Sequence, residues 1–186
     1  MPAQPLHALP LALVLLAAAP AAAEVVDVGA AGFTTRHAVT IKAGRAEVYR
    51  AAVGEVARWW SDGLTASGRA ANLRLEARPQ GCFCERLGPP EAGIVHMTVT
   101  FVNPGVMLRL SGGLGPLGLM GVAGNLTWEF REAEAMTEVV WTYAVGGWLP
   151  EGADAMADAV DAALGEQVGR LKAYVEDGAA AGEGAQ

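Results

Sequence analysis

The stretch Ala155–Val175, AMADAVDAALGEQVGRLKAYV, decides how the rest of the chain must be arranged. Met156, Val160, Leu164, Val168, Leu171 and Val175 recur at intervals of three and four and form one apolar stripe on a helix. Asp158, Asp161, Glu166, Arg170 and Lys172 fall mainly elsewhere around it. Such a stripe has to be covered. Pro150 and Gly152 lie just outside the start, Asp154 suits the N-cap, and Arg170 and Lys172 sit near the C-terminal end, where the helix dipole favours cations. Gly178 is expected to end the helix, leaving an Ala/Gly tail over 177–186. Ala159, Ala162, Ala163, Gly165 and Gly169 leave room for a close neighbour. Most of the chain before this helix reads as strands, so the expected class is α+β, a sheet wrapped around one long helix.

Working back from that helix, Phe33 to Ile41 alternates as a first strand, and Ala46 to Trp60 places Val48, Ala51, Ala52, Val56 and Trp59 near one helical face before Ser61-Asp62-Gly63 stops it. Trp59 and Trp60 are about 100° apart on a helix, so at most one is expected to point squarely into the core. They serve either as core packing or as the aromatic wall of a cavity. From Asn72 the period changes. Leu73, Leu75 and Ala77 alternate with charged neighbours, and Cys82 to Leu87 and Ile94 to Val102 flank a Gly/Pro-rich loop. Asn103-Pro104-Gly105 turns into Val106 to Ser111, and Asn125 to Arg131 and Thr137 to Val145 complete an antiparallel meander. On the strand Ile94 to Val102, Val95, Met97, Val99 and Phe101 share one face and His96, Thr98 and Thr100 the other.

The chain has 186 residues, 52% of them hydrophobic and 18% charged, which fits one globular domain, here placed at 32–176. Ala8 to Pro20 is an uncharged apolar run and Ala21-Ala22-Ala23 offers small residues for cleavage, so residues 1–23 read as a signal peptide and 24–31 as a short leader. A membrane anchor is the alternative, but the run is shorter than the ~20 residues a bilayer needs. The expected location is therefore outside the cytoplasm, periplasmic or extracellular. The formal net charge is -7 and no basic face is visible, which argues against nucleic acid as a partner. Asn125-Leu126-Thr127 matches a glycosylation sequon but lies inside an expected strand and carries little weight.

The order strand, helical segment, about six antiparallel strands and long terminal helix carries a resemblance. So do Ala46-Glu47-Val48-Tyr49-Arg50-Ala51, Gly81-Cys82-Phe83-Cys84-Glu85-Arg86, Asn103 to Leu110 and Thr127-Trp128-Glu129-Phe130. The chain resembles the SRPBCC or START-like helix-grip superfamily, in its branch of polyketide cyclases and Hsp90-ATPase-activator-like proteins. The resemblance implies a curved sheet of about six or seven strands gripping the terminal helix around an apolar cavity. The lining here would draw on Trp59, Met97, Val99, Phe101, Leu108, Leu110, Trp128, Trp141, Tyr143, Met156, Val160 and Leu164. It specifies a scaffold more than a chemistry.

Cys82 and Cys84, two apart on a strand, point to the same face at a spacing near the upper limit for a disulfide. They read as buried thiols, a strained or redox-active pair, or part of a metal cluster with His96, and no other metal ligand is evident. If Leu87 faces Ile94, Glu85 lies opposite His96. That pair either orients an imidazole for acid/base work or is an exposed ion pair, and strand alternation favours exposure because Met97 looks inward. His37 reads as structural. Gly112 to Gly121 lacks the Lys-Ser/Thr ending of a phosphate loop and suits an apolar gate, a membrane contact or a tucked-in connector.

Aliphatic and aromatic positions outnumber ionisable ones, which favours an exported carrier of a small apolar or amphipathic ligand, needing no cofactor, with Glu85, His96, Arg109 or Tyr143 orienting it. The competing readings are a cyclase/dehydratase-type enzyme using His96 or Glu85, and an Hsp90-activator-like interaction protein. Export would separate the last from any cytosolic chaperone.

Overall fold

The computed structural model describes residues 23–150 and 152–183, so the expected signal peptide lies outside the described residues except for Ala23. Eight strands form one antiparallel sheet in the order β1-β2-β8-β7-β6-β5-β4-β3. They are β1 (Ala23–Gly29), β2 (Gly32–Ile41), β3 (Leu73–Leu75), β4 (Cys82–Arg86), β5 (Gly93–Asn103), β6 (Met107–Ser111), β7 (Val122–Ala133) and β8 (Met136–Gly147). Helices α1 (Arg45–Gly54) and α2 (Val56–Trp59) bridge β2 to β3, and α3 (Ala153–Glu183) packs across the concave face. The α+β helix-grip expectation holds, with one strand more than expected.

The additional strand comes from the segment read as a leader. β1 pairs with β2, and an irregularity between Val25 and Asp27 brings both Val25 and Val28 against the core. α3 also differs at both ends. Asp154 lies in its first turn instead of capping it, and the helix runs through Gly178 to Glu183, over a run of alanines, the best helix former. The helical segment after β2 breaks at Glu55, and Trp60 is already extended at φ -64, ψ 148. The 100° rule therefore does not apply to the pair, and Trp59 and Trp60 are both buried.

Regular cross-strand rows build the inner face. Thr35, Tyr143, Leu126, Leu110 and Val99 form one row across β2, β8, β7, β6 and β5, and His37, Trp141, Trp128 and Leu108 form the next. Ala157, Leu164, Val168, Leu171 and Val175 of α3 are buried against these rows, while Met156 and Val160 are half-buried at the margin. Polar contacts fix the helix in place. Gln167 Oε1 accepts from Ser61 N at 2.8 Å and Arg170 Nε donates to Trp59 O at 2.8 Å, which satisfies backbone groups where α2 ends. Lys172 donates to Thr40 O. His37 Nε2 lies 3.1 Å from Asp161 Oδ1, and Gly165 passes directly over the ring: a Cβ there would come within 3.2 Å of His37 Cε1. Burial lowers the His37 pKa, and Asp161 partly offsets the effect.

Two outcomes test this packing. Leu171→Ala should lower the unfolding free energy by about 2–5 kcal/mol in urea titrations, whereas Asp158→Ala on the exposed side should change it by less than about 0.5 kcal/mol; equal effects would mean the stripe is misplaced. Because folding lowers the proton affinity of His37, its neutral form is the one the fold favours. Stability should be full above about pH 6.5 and decline as pH falls through that value. His37→Gln should remove that part of the decline, and an unchanged profile would assign it to other groups.

Candidate functional site

Two bulges in β5 shape the site. Phe83 pairs with Met97 and Cys84 with Val95, leaving His96 without a partner on β4; Val99 pairs with Leu110 and Phe101 with Arg109, leaving Thr100 unpartnered on β6. Each extra residue breaks the in-out alternation. Beyond the second bulge Phe101 leaves the interior. It is 42% exposed, with the Arg109 guanidinium 5.8 Å from its ring centroid, so its assignment to the lining is corrected. Arg109 is exposed and bonds Thr127, away from any interior ligand.

The first bulge has the opposite effect on His96. The expected exposed pair is a buried one: the side chains of His96 and Glu85 are 8% and 0% exposed. Glu85 pairs in register with Ile94, two residues from the expected partner, yet His96 Nε2 reaches Glu85 Oε2 at 2.8 Å. The Glu85 carboxylate also accepts from Ala66 N at 3.0 Å and from Ser67 N, so it pins the segment after α2 onto the sheet. Burial pushes its pKa up, but the bonds from Ser67, His96 and Ala66 together outweigh this and hold it below the usual carboxylate range. His96 also lies against Phe83, with ring centroids 5.8 Å apart.

Cys82 and Cys84 are joined to each other, with Cα atoms 5.4 Å apart. This is closer than the roughly 6.6 Å of a regular strand step, and it falls beside the register shift at Phe83/Cys84. Both sulfurs are consumed and His96 turns to Glu85, so the three do not assemble as metal ligands.

Of the other lining residues, Trp59, Met97, Val99, Leu108, Leu110, Trp128, Trp141, Tyr143 and Leu164 are buried between sheet and helix, and Met156 and Val160 are half-buried. The aromatic ones pack against one another. The centroids of Trp59, Trp60, Trp128, Trp141 and Phe83 lie 4.3–6.5 Å from their ring neighbours, and Trp128 and Trp141 stack at 4.3 Å with planes 5° apart. An open depression lies elsewhere, at the outer ends of β1, β2, β7 and β8, lined by Asp27, Phe33, Asn125 and Ala144 among others.

Over one end of the interior lies the glycine-rich segment. It folds into a 3-10 turn, Gly115–Leu119, whose Leu117 is buried. Gly113 crosses the Leu117-Gly118 backbone so closely that a Cβ would lie 2.6 Å from the Leu117 carbonyl carbon. Tyr143 holds the segment down: its hydroxyl donates to Gly112 O and accepts from Leu114 N, each at 3.0 Å. Burial raises the Tyr143 pKa. Leu119 and Trp148 project outward, 92% and 71% exposed, and Trp148 N donates to Gly121 O at 3.2 Å, so the two apolar loops adjoin. Sequence reading missed Phe83, Tyr143 as a latch, and Trp148; nearest-neighbour alternation carries no signal for a loop-to-strand hydroxyl bridge.

Comparison with known proteins agrees with this architecture. No curated protein matches the sequence. Among solved structures, a conserved protein of unknown function from Enterococcus faecalis superposes with a TM-score of 0.57 at 16% identity, over 84% of this chain and 77% of its own. CalU16 from Micromonospora echinospora gives 0.55 at 12% identity, over 84% of each chain. DynU16, from the dynemicin biosynthetic locus, gives 0.54 at 19% identity, over 78% of this chain and 48% of its own. At these identities the likeness is one of fold. The sequence itself matches the family described as "Polyketide cyclase / dehydrase and lipid transport" over residues 31–176, and the chain belongs to that family.

Proposed function

We propose that this protein is an exported binding or carrier protein for a small apolar or amphipathic molecule, taken up between α3 and the sheet. The observation that carries the reading is the chemistry of that interior. Trp59, Trp60, Trp128, Trp141, Phe83, Met97 and Leu164 dominate it, and its ionisable pair is engaged in fixing a loop. Because these rings pack against one another, a ligand enters only when a wall moves. The wall best suited to move is the Gly112–Gly121 segment, whose closure over the interior depends on the Tyr143 hydroxyl bridge and the Leu117 plug. Leu119 and Trp148, protruding beside that gate, would meet the apolar phase from which such a ligand comes, and an indole suits a membrane interface. Among the described residues no helix is long and apolar enough to cross a membrane.

A second reading has its own observation. The Glu85 to His96 hydrogen bond inside the fold is the arrangement that orients an imidazole for acid/base work, as a cyclase or dehydratase would require. In the carrier reading the same bond is a brace.

Native mass spectrometry of the purified protein, compared with its denatured mass, should reveal a discrete retained ligand. Trp128→Arg and Met97→Arg should lose it, while His96→Gln, which keeps a donor for the buried Glu85 carboxylate, keeps affinity within about twofold. Retention by both Arg variants would refute the interior site, and loss of a catalysed conversion on His96→Gln at unchanged affinity would favour the enzyme. Tyr143→Phe removes the latch and keeps the ring. It should raise the association rate of a neutral apolar fluorophore such as N-phenyl-1-naphthylamine by about three- to tenfold in stopped-flow experiments, the value of one or two hydrogen bonds. An unchanged rate would move the entrance elsewhere.

A further inference from the structure

Among the described residues, six buried side-chain atoms have no hydrogen-bond partner in the protein: Thr35 Oγ1, His37 Nε2, Trp128 Nε1, Trp141 Nε1, Asp161 Oδ1 and Gln167 Nε2. Buried polar groups are almost always paired, and one left without a partner destabilises the fold. These six are not scattered. All lie on β2, β8, β7 and α3, on either side of one interface. His37 Nε2 and Asp161 Oδ1 stand 3.1 Å apart, in electrostatic contact with each other, which accounts for two of them.

The remainder is one-sided. An indole nitrogen can only donate, and the Gln167 oxygen already accepts from Ser61 N, so its free nitrogen is a donor as well. Thr35 is the single group of the four able to accept. The interior therefore holds a surplus of N–H donors and a shortage of acceptor oxygen. Two of those donors belong to Trp128 and Trp141, which are cross-strand partners, stack at 4.3 Å and are fully buried.

Resting on the carrier reading above, we infer that the indole N–H groups of Trp128 and Trp141 form the polar recognition element of the ligand site. They would bind a neutral carbonyl oxygen, that of a ketone, ester or amide, on an otherwise apolar molecule. A carboxylate ligand is disfavoured. Asp161 stands beside His37, the neighbour of Trp141 in the same row, and no Lys or Arg side chain is among the buried residues. Aromatic faces beside the donors would cover the apolar body.

The test uses two probes of the same shape, 2-acetylnaphthalene and 2-isopropenylnaphthalene, in which a carbonyl oxygen is exchanged for a methylene. Both are titrated into the intact protein by tryptophan fluorescence. Trp128→Phe and Trp141→Phe remove the donor and keep an aromatic ring. In each, the ratio of ketone to alkene affinity should fall about five- to tenfold, with alkene affinity nearly unchanged. In the unsubstituted protein labelled with nitrogen-15, the ketone and not the alkene should move both indole proton resonances downfield. If both probes bind and neither the ratio nor the indole resonances respond, the inference is overturned and the carrier reading stands. If neither probe binds the unsubstituted protein, both fall. If a Phe variant loses both probes, the indole resonances of the unsubstituted protein decide the matter.

Discussion

The whole fold depends on covering one apolar stripe of α3. A stripe bearing Leu164, Val168, Leu171 and Val175 needs a surface that bends around it, and a flat sheet does not supply one. Eight twisted antiparallel strands do, provided the sheet can turn a corner. β5 carries two bulges, a feature that bends a strand, where His96 and Thr100 are each one residue too many for the neighbouring strand. Beside the first, His96 meets the buried Glu85, and beyond the second, Phe101 is exposed.

Inside the shell, polar groups play three roles. Glu85 spends its oxygens on Ala66, Ser67 and His96 and so locks the segment following α2. Tyr143 reaches outward from the same sheet to hold the glycine-rich segment closed. The indoles of Trp128 and Trp141 do neither, and their N–H groups have no hydrogen-bond partner in the protein. An apolar interior with a braced wall, a latched wall and idle donors is better suited to holding a molecule than to transforming one, and the proposed carrier role rests on that division of labour.

The class of fold was legible because its signals are periodic. The three-and-four spacing in α3 from Leu164 to Val175 and the alternation in β7 survive, and the residues they name, from Leu126 and Trp128 to Leu164, are buried. What failed was every inference that assumed the period continues. Alternation carried past Val99 put Phe101 inside, and carried through Val95-His96-Met97 it put His96 outside; a bulge has no compositional mark in either place. A continuous helix through Gly54 and Glu55 implied that one of Trp59 and Trp60 must face away, but the break frees Trp60 to turn inward. The edge strand β1 escaped notice because its two useful valines are three apart, a spacing that only an irregular strand brings to one side. The latch and the Glu85 brace join positions 29 and 18 residues apart, which no local pattern encodes.

The parallel stack of Trp128 on Trp141 has a consequence beyond packing. Two indole chromophores held face to face share their electronic excitation, so the far-ultraviolet circular dichroism of the protein carries an exciton couplet whose sign and size depend on the angle and distance between them. The rings sit on neighbouring strands at the centre of the sheet, and whatever parts or turns them changes that signal directly. The molecule contains its own optical gauge of how its two central indoles are packed, readable without a label.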